Sequence, residues 1–151
     1  MIRFALALLL LATPAAALSL GGFSGRWQGE GELVLGDEPA QRFRCQIRLR
    51  EIASGESFFS GRCATAQAAQ SFTYMLFEAP DGALRAENRA ETESDLPAEM
   101  RGRAASDLLR FDAENGALFE LRRSGADLRF VIAGTDSRGP ARGEALLSPR
   151  E

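Results

Sequence analysis

The chain contains no histidine and no lysine, only two cysteines, one tryptophan and one tyrosine. Each scarcity excludes something. Without histidine there is no Ser-His-Asp triad and no Cys-His pair. Zinc ligation would fall to carboxylates once the cysteines are oxidised. No phosphate-cradling glycine loop and no dinucleotide fingerprint occur. The net charge of −3 argues against nucleic acid, which basic domains bind. All 18 basic residues are arginine, which reads most simply as a GC-rich coding sequence. The expectation is therefore no catalytic residue, no metal and no cofactor. Carboxylate pairs for glycoside chemistry stay open, because 21 acids allow many pairings. The acidic run Glu87, Glu91, Glu93, Asp95 and Glu99 lacks a calcium-loop pattern and reads as a solvated loop.

What the chain does have begins with a leader. Arg3 gives a positive start, Phe4 to Ala12 is a short apolar run, and Ala15-Ala16-Ala17 fits small-residue cleavage. Residues 1–17 are expected to be a secretory signal peptide of bacterial type, too short to span a membrane. Residues 18–151 are then one exported domain, periplasmic or secreted. No nucleic acid partner and no membrane span are expected.

The central stretch is Phe23 to Thr65. Phe43, Cys45, Ile47 and Leu49 alternate with Arg42, Arg44, Arg48 and Arg50, the period of a half-buried strand. A turn about Ser54 pairs Cys45 with Cys63, Leu49 with Phe59 and Ile47 with Gly61. Opposite Cα atoms lie ~4.5–5.5 Å apart, within reach of a disulfide. The alternative is two free buried thiols. The bond would stabilise by ~3 kcal/mol. A first turn centred on Glu38 would pair Trp27 with Leu49, Gly29 with Ile47, Gly31 with Cys45 and Glu32 with Arg44. Inward Gly29, Gly31 and Gly61 permit tight coiling or leave room inside.

Turn clusters then recur at Gln67–Gln70, Pro80–Gly82, Ser94–Pro97, Glu114–Gly116, Ser124–Asp127 and Ser137–Pro140. Candidate strands lie between them: 71–78, 84–90, 100–111 as one bent strand, 118–122, 128–133 and 142–147. Short strands at this spacing predict an all-β fold. Hairpin links predict an antiparallel up-and-down barrel of about 8–10 strands, closed to hide its edges. Strand 71–78 is apolar on both faces, so it is covered on both sides or carries a docking patch. The outward row Arg42, Arg44, Arg48 and Arg50, joined by Arg62, reads either as a solvated face or as the contact for an anionic envelope component.

Gly25-Arg26-Trp27 on the first strand resembles the G-x-W opening of lipocalins and other calycins. The resemblance implies a calycin-like barrel closed at one end by the tryptophan, with an arginine of the last strand across it; Arg142 is the nearest candidate. Gly25 to Gly31 also resembles the opening of nitrobindin-like haem barrels. Their haem needs a histidine, which this chain lacks, so that function is not carried over. Gly25 to Trp27 with Cys45 and Cys63 is similar to small periplasmic inhibitors of bacterial metalloproteinases. There the N-terminal segment, here Leu18 to Phe23, enters the protease cleft.

Three functions follow as expectations. The first is non-enzymatic binding of a small apolar or amphiphilic ligand, with Phe23, Trp27, Leu49, Phe59, Tyr74 and Phe130 lining or closing the barrel. The second is inhibition of an exported protease. The third is a structural envelope protein without a ligand.

Overall fold

The computed structural model describes residues 19–151. The expected signal peptide, residues 1–17, lies outside the described residues. A short 3₁₀ turn, Leu20–Phe23, precedes ten strands: β1 (Gly25–Leu35), β2 (Gln41–Ala53), β3 (Glu56–Ala64), β4 (Ala69–Glu78), β5 (Ala83–Asn88), β6 (Glu99–Ala105), β7 (Leu108–Asp112), β8 (Leu118–Ser124), β9 (Asp127–Asp136) and β10 (Gly139–Pro149). Every strand pairs antiparallel with its sequence neighbour, and β10 pairs back onto β1, closing the barrel. The architecture is compatible with a calycin-like fold.

The alternation seen in the sequence decides which way each side chain points. On β2, Phe43, Cys45, Ile47 and Leu49 are buried, and the arginines between them face solvent. The same rule puts an apolar row inside most strands, while the outward rows are charged on β2 and mixed or apolar on β4 and β9. No helix among the described residues is long and apolar enough to cross a membrane. Leucines fill the lower half: Leu49, Leu76, Leu109, Leu121, Leu128 and Leu147 are all buried. Fully burying such a side chain is worth ~1.5–3 kcal/mol.

The β2–β3 hairpin has the expected register, with Cys45 opposite Cys63, Leu49 opposite Phe59 and Ile47 opposite Gly61. The disulfide is formed across a Cα separation of 4.2 Å. The β1–β2 register differs from expectation by two residues. Trp27 faces Ile47, Gly29 faces Cys45, Gly31 faces Phe43 and Glu32 faces Arg42. The cause is the turn. Gly36 takes φ +54, and the Glu38 N–H donates to the Leu35 carbonyl at 2.9 Å. This tight turn is centred one residue earlier than Glu38. A shift of two keeps every side chain on its predicted face.

The expected single strand over 100–111 is two strands. Ser106 and Asp107 form a two-residue turn between Ala105 and Leu108, which pair with each other. The turn near residue 67 also ends earlier than expected, because the Thr65 N–H donates to the Ala68 carbonyl and β4 starts at Ala69.

The inward glycines serve the wall. A Cβ on Gly29 or Gly31 would lie 1.9 or 1.8 Å from a carbonyl oxygen of β10, so both mark where the strands coil closely. The room beside Gly61 is taken by the Phe72 ring and Ile47. The outer face of β4 is covered by a neighbour: the Arg85 guanidinium lies 4.3 Å from the Phe77 ring centroid.

Candidate functional site: an apolar cavity under a loop

The two ends of the barrel differ. One is plugged by the 3₁₀ turn, whose Leu20 and Phe23 are completely buried. The plug has three ties. Glu78, the last inward residue of β4, accepts the Ser19 N–H at 2.9 Å and the Leu20 N–H at 2.8 Å. The Trp27 Nε1–H donates to the Phe23 carbonyl at 3.1 Å. The Arg123 guanidinium lies 5.4 Å from the Phe23 ring and 5.6 Å from the Trp27 ring. Arg123 continues the inward row of β8 after Phe119 and Leu121, and so reaches the plug. The expected partner, Arg142, is instead an exposed residue opposite Val34 and Ala133, toward the other end. An arginine does cross the tryptophan, but it comes from β8 rather than the last strand.

Above the leucine layer the barrel is not filled. A cavity of about 180 Å³ lies toward the mouth, walled by Phe59, Phe72, Tyr74, Phe119, Phe130 and Ile132. The wall is an aromatic cluster. Phe59 stands 5.0 Å from Phe72 and 5.1 Å from Phe119, and Phe111 stacks on Phe119 at 4.4 Å. Such pairs hold one another in place. The cavity rim includes Gln70, Ala117 and Ala141, and the mouth is partly covered by the β5–β6 loop through Leu96 and Pro97.

That loop is fastened at few points. Tyr74, buried in the wall, donates its hydroxyl to the Pro97 carbonyl at 2.9 Å. The Asn88 N–H donates to the Ala98 carbonyl at its base. The loop's acids are solvated or paired with arginine, Glu87 with Arg85 and Arg89, and Glu99 with Arg101. No group of three metal-ligating side chains occurs among the described residues. Burial pushes the Tyr74 phenol up to about 12, so it stays a neutral donor at ordinary pH.

Of the six residues expected to line or close the barrel, Phe59, Tyr74 and Phe130 are on the cavity wall. Phe23 and Trp27 belong to the plug, and Leu49 lies buried among the packed side chains. Phe72, Met100, Phe119 and Ile132 also stand on the wall, and none of them was expected to line the barrel. Phe119 was legible in principle, as the only aromatic of an alternating strand.

The outward arginines divide. Arg42 and Arg44 both lie beside Glu30. Arg50 lies 5.8 Å from the Phe58 ring. Arg48 and Arg62 have no carboxylate within 4 Å among the described residues.

The chain matches no family model, and none of the curated proteins compared with it is significantly similar.

Proposed function

We propose that this chain is a non-enzymatic binding protein that takes a small apolar or amphiphilic molecule into the barrel. The observation that carries this reading is the unfilled aromatic cavity at the mouth. Protein interiors are normally packed without such voids. An apolar cavity of roughly 150 Å³ is known to stay dry and to admit a benzene ring, so about 180 Å³ suits a single ring or a short branched chain. The size is below the ~300–1,000 Å³ of drug-sized sites, so a larger ligand would require Leu96 and Pro97 to move outward. The cavity wall offers Tyr74 and Gln70 as polar groups but no acid-base pair, which favours binding over turnover. Export to the periplasm or outside the cell belongs to the same proposal, and the disulfide is compatible with an oxidising compartment.

The inhibitor alternative is less favoured. The segment it needs, Leu18 to Phe23, contributes Leu20 and Phe23 to the barrel's interior. An insertion into a protease cleft would first have to withdraw two buried apolar side chains. Deleting residues 18–23 separates the readings: an inhibitor keeps its fold and loses inhibition, whereas a plugged carrier loses stability.

The test is melting temperature against concentration of a single-ring aromatic such as toluene. A ligand at 100 times its Kd stabilises the folded state by ~2.7 kcal/mol, which raises the melting temperature by several degrees. Ala117→Phe at the rim, which fills the void, should abolish the rise. A melting temperature unmoved by any small apolar compound would overturn the proposal.

A further inference from the structure

The outer wall at the plugged end carries a groove of about 370 Å³ whose charged lining is Arg26, Arg48, Arg62 and Arg150, with no carboxylate. Its register explains the clustering. Arg26 stands directly opposite Arg48, which stands opposite Ser60, which stands opposite Thr73. The next row runs Gln28, Gln46, Arg62, Ser71. Arg150 is held beside them because its N–H donates to the Arg26 carbonyl at 2.8 Å.

Many arginines elsewhere on the wall are paired with an acid, although Arg50, Arg103 and Arg142 have no carboxylate within 4 Å among the described residues. Arg42 and Arg44 share Glu30, Arg110 grips Asp112, Arg129 grips Glu144 and Arg138 grips Asp136. In the groove Arg26 faces Arg48 across the ladder, an arrangement that destabilises a sheet. Arg85 faces Arg101, Arg103 faces Arg110 and Arg122 faces Arg129 in the same way. In each of those pairs at least one arginine has a carboxylate beside it, whereas neither Arg26 nor Arg48 has one within 4 Å among the described residues. An anion lying between them would remove that repulsion. The groove crosses four strands, a span of roughly 15 Å at ~4.8 Å per strand. Its hydroxyls and amides suit sugar hydroxyls, and its arginines suit oxyanions. Its polar rows offer no exposed apolar side chain for entry into a bilayer.

We infer that this groove is a binding site for an acidic polysaccharide, one bearing sulfate or carboxylate groups. The site is separate from the barrel cavity and uses Arg26, Arg48, Arg62 and Arg150 as its cationic contacts. Arg42 and Arg44, satisfied by Glu30, lie outside it.

The experiment is calorimetric titration of the full exported chain with dextran sulfate and with polygalacturonate, and with neutral dextran as control. Both acidic polymers should bind, more weakly as salt rises, and neutral dextran should not. The double variant R48Q/R62Q should lose at least about tenfold in affinity. R42Q/R44Q should stay within about twofold, because it removes charges already paired. All these positions are exposed, and an unchanged near-ultraviolet circular dichroism spectrum confirms each variant's fold. No binding of either polymer overturns the inference. Equal losses in the two double variants also overturn it, by reducing the effect to general charge. Binding to phosphatidylglycerol vesicles without binding to either polymer overturns it in favour of a lipid surface. A toluene-dependent melting temperature that persists in R48Q/R62Q shows that the two sites are separate.

Discussion

Arg123 and Trp27 meet across the plugged end of the barrel, the guanidinium 5.6 Å from the indole and 5.4 Å from the Phe23 ring. One cation thereby ties β8 to β1 and to the segment before it. Arg123 is half-buried, and a contact of this kind is worth about 1–2 kcal/mol. Arg123→Gln should lower the melting temperature by roughly 4–8 °C. Arg142→Gln, on an exposed outward position, should change it by less than about 2 °C. Thermal denaturation followed by circular dichroism measures both. Equal effects would remove the assignment of Arg123 to the plug.

Glu78 holds the same plug from the other side through the Ser19 and Leu20 N–H groups. Hydrogen bonds to a charged acceptor contribute ~1.5–3 kcal/mol. Glu78→Gln keeps the shape and weakens both bonds. Hydrogen exchange should then speed up at Leu20 while the β6–β7 amides keep their protection. Uniform acceleration across the barrel would mean that Glu78 supports the whole fold rather than the plug.

Cys45 and Cys63 are 18 residues apart in sequence. Loop entropy gives their bond about 3 kcal/mol. Reduction, or the Cys45→Ala/Cys63→Ala pair, should lower the melting temperature by roughly 10 °C without unfolding the barrel at 25 °C. A fold that collapses at room temperature on reduction would show that the leucine core contributes less than its burial implies.

Tyr74 fastens the β5–β6 loop through Pro97. Tyr74→Phe keeps the ring on the cavity wall and releases the loop. Ligand association should quicken, and amide exchange at residues 90–97 should rise. The phenol also sets a pH limit. Burial holds its folded pKa at about 12, above the ordinary phenol value of 10.0. The unfolded chain therefore gives up this proton first. The stability it contributes is complete below pH 10 and is lost as pH rises from there toward 12. Tyr74→Phe should flatten the fall in stability over that window, read from urea unfolding at each pH.

Much of this was legible in the sequence, for physical reasons that also mark where legibility stopped. The β2–β3 hairpin was readable because Ser54-Gly55 marks its turn and two cysteines fix its register. The β1–β2 register was not, because the glycine at residue 36 starts a tight turn that Pro39 obscures. Ser106-Asp107 carries none of the glycine or proline signals of a turn, so β6 and β7 read as one strand. Phe59, Tyr74 and Phe130 stood out as inward aromatics, yet alternation alone does not say how far along the barrel a side chain lies. That is why Phe23, Trp27 and Leu49 were grouped with them, although they lie at the packed end. Arg123 was hidden because a charged residue on an inward row looks like an error of register until the plug it covers is seen.

The central claim is that the cavity among Phe59, Phe119, Phe130 and Ile132 receives a small apolar molecule. Crystals of the protein exposed to iodobenzene test it most directly, because iodine reports its own position by anomalous scattering. The account predicts an iodine peak inside the barrel between those four side chains, absent in Ala117→Phe. Iodine found only on the outer surface, or not at all, would contradict it.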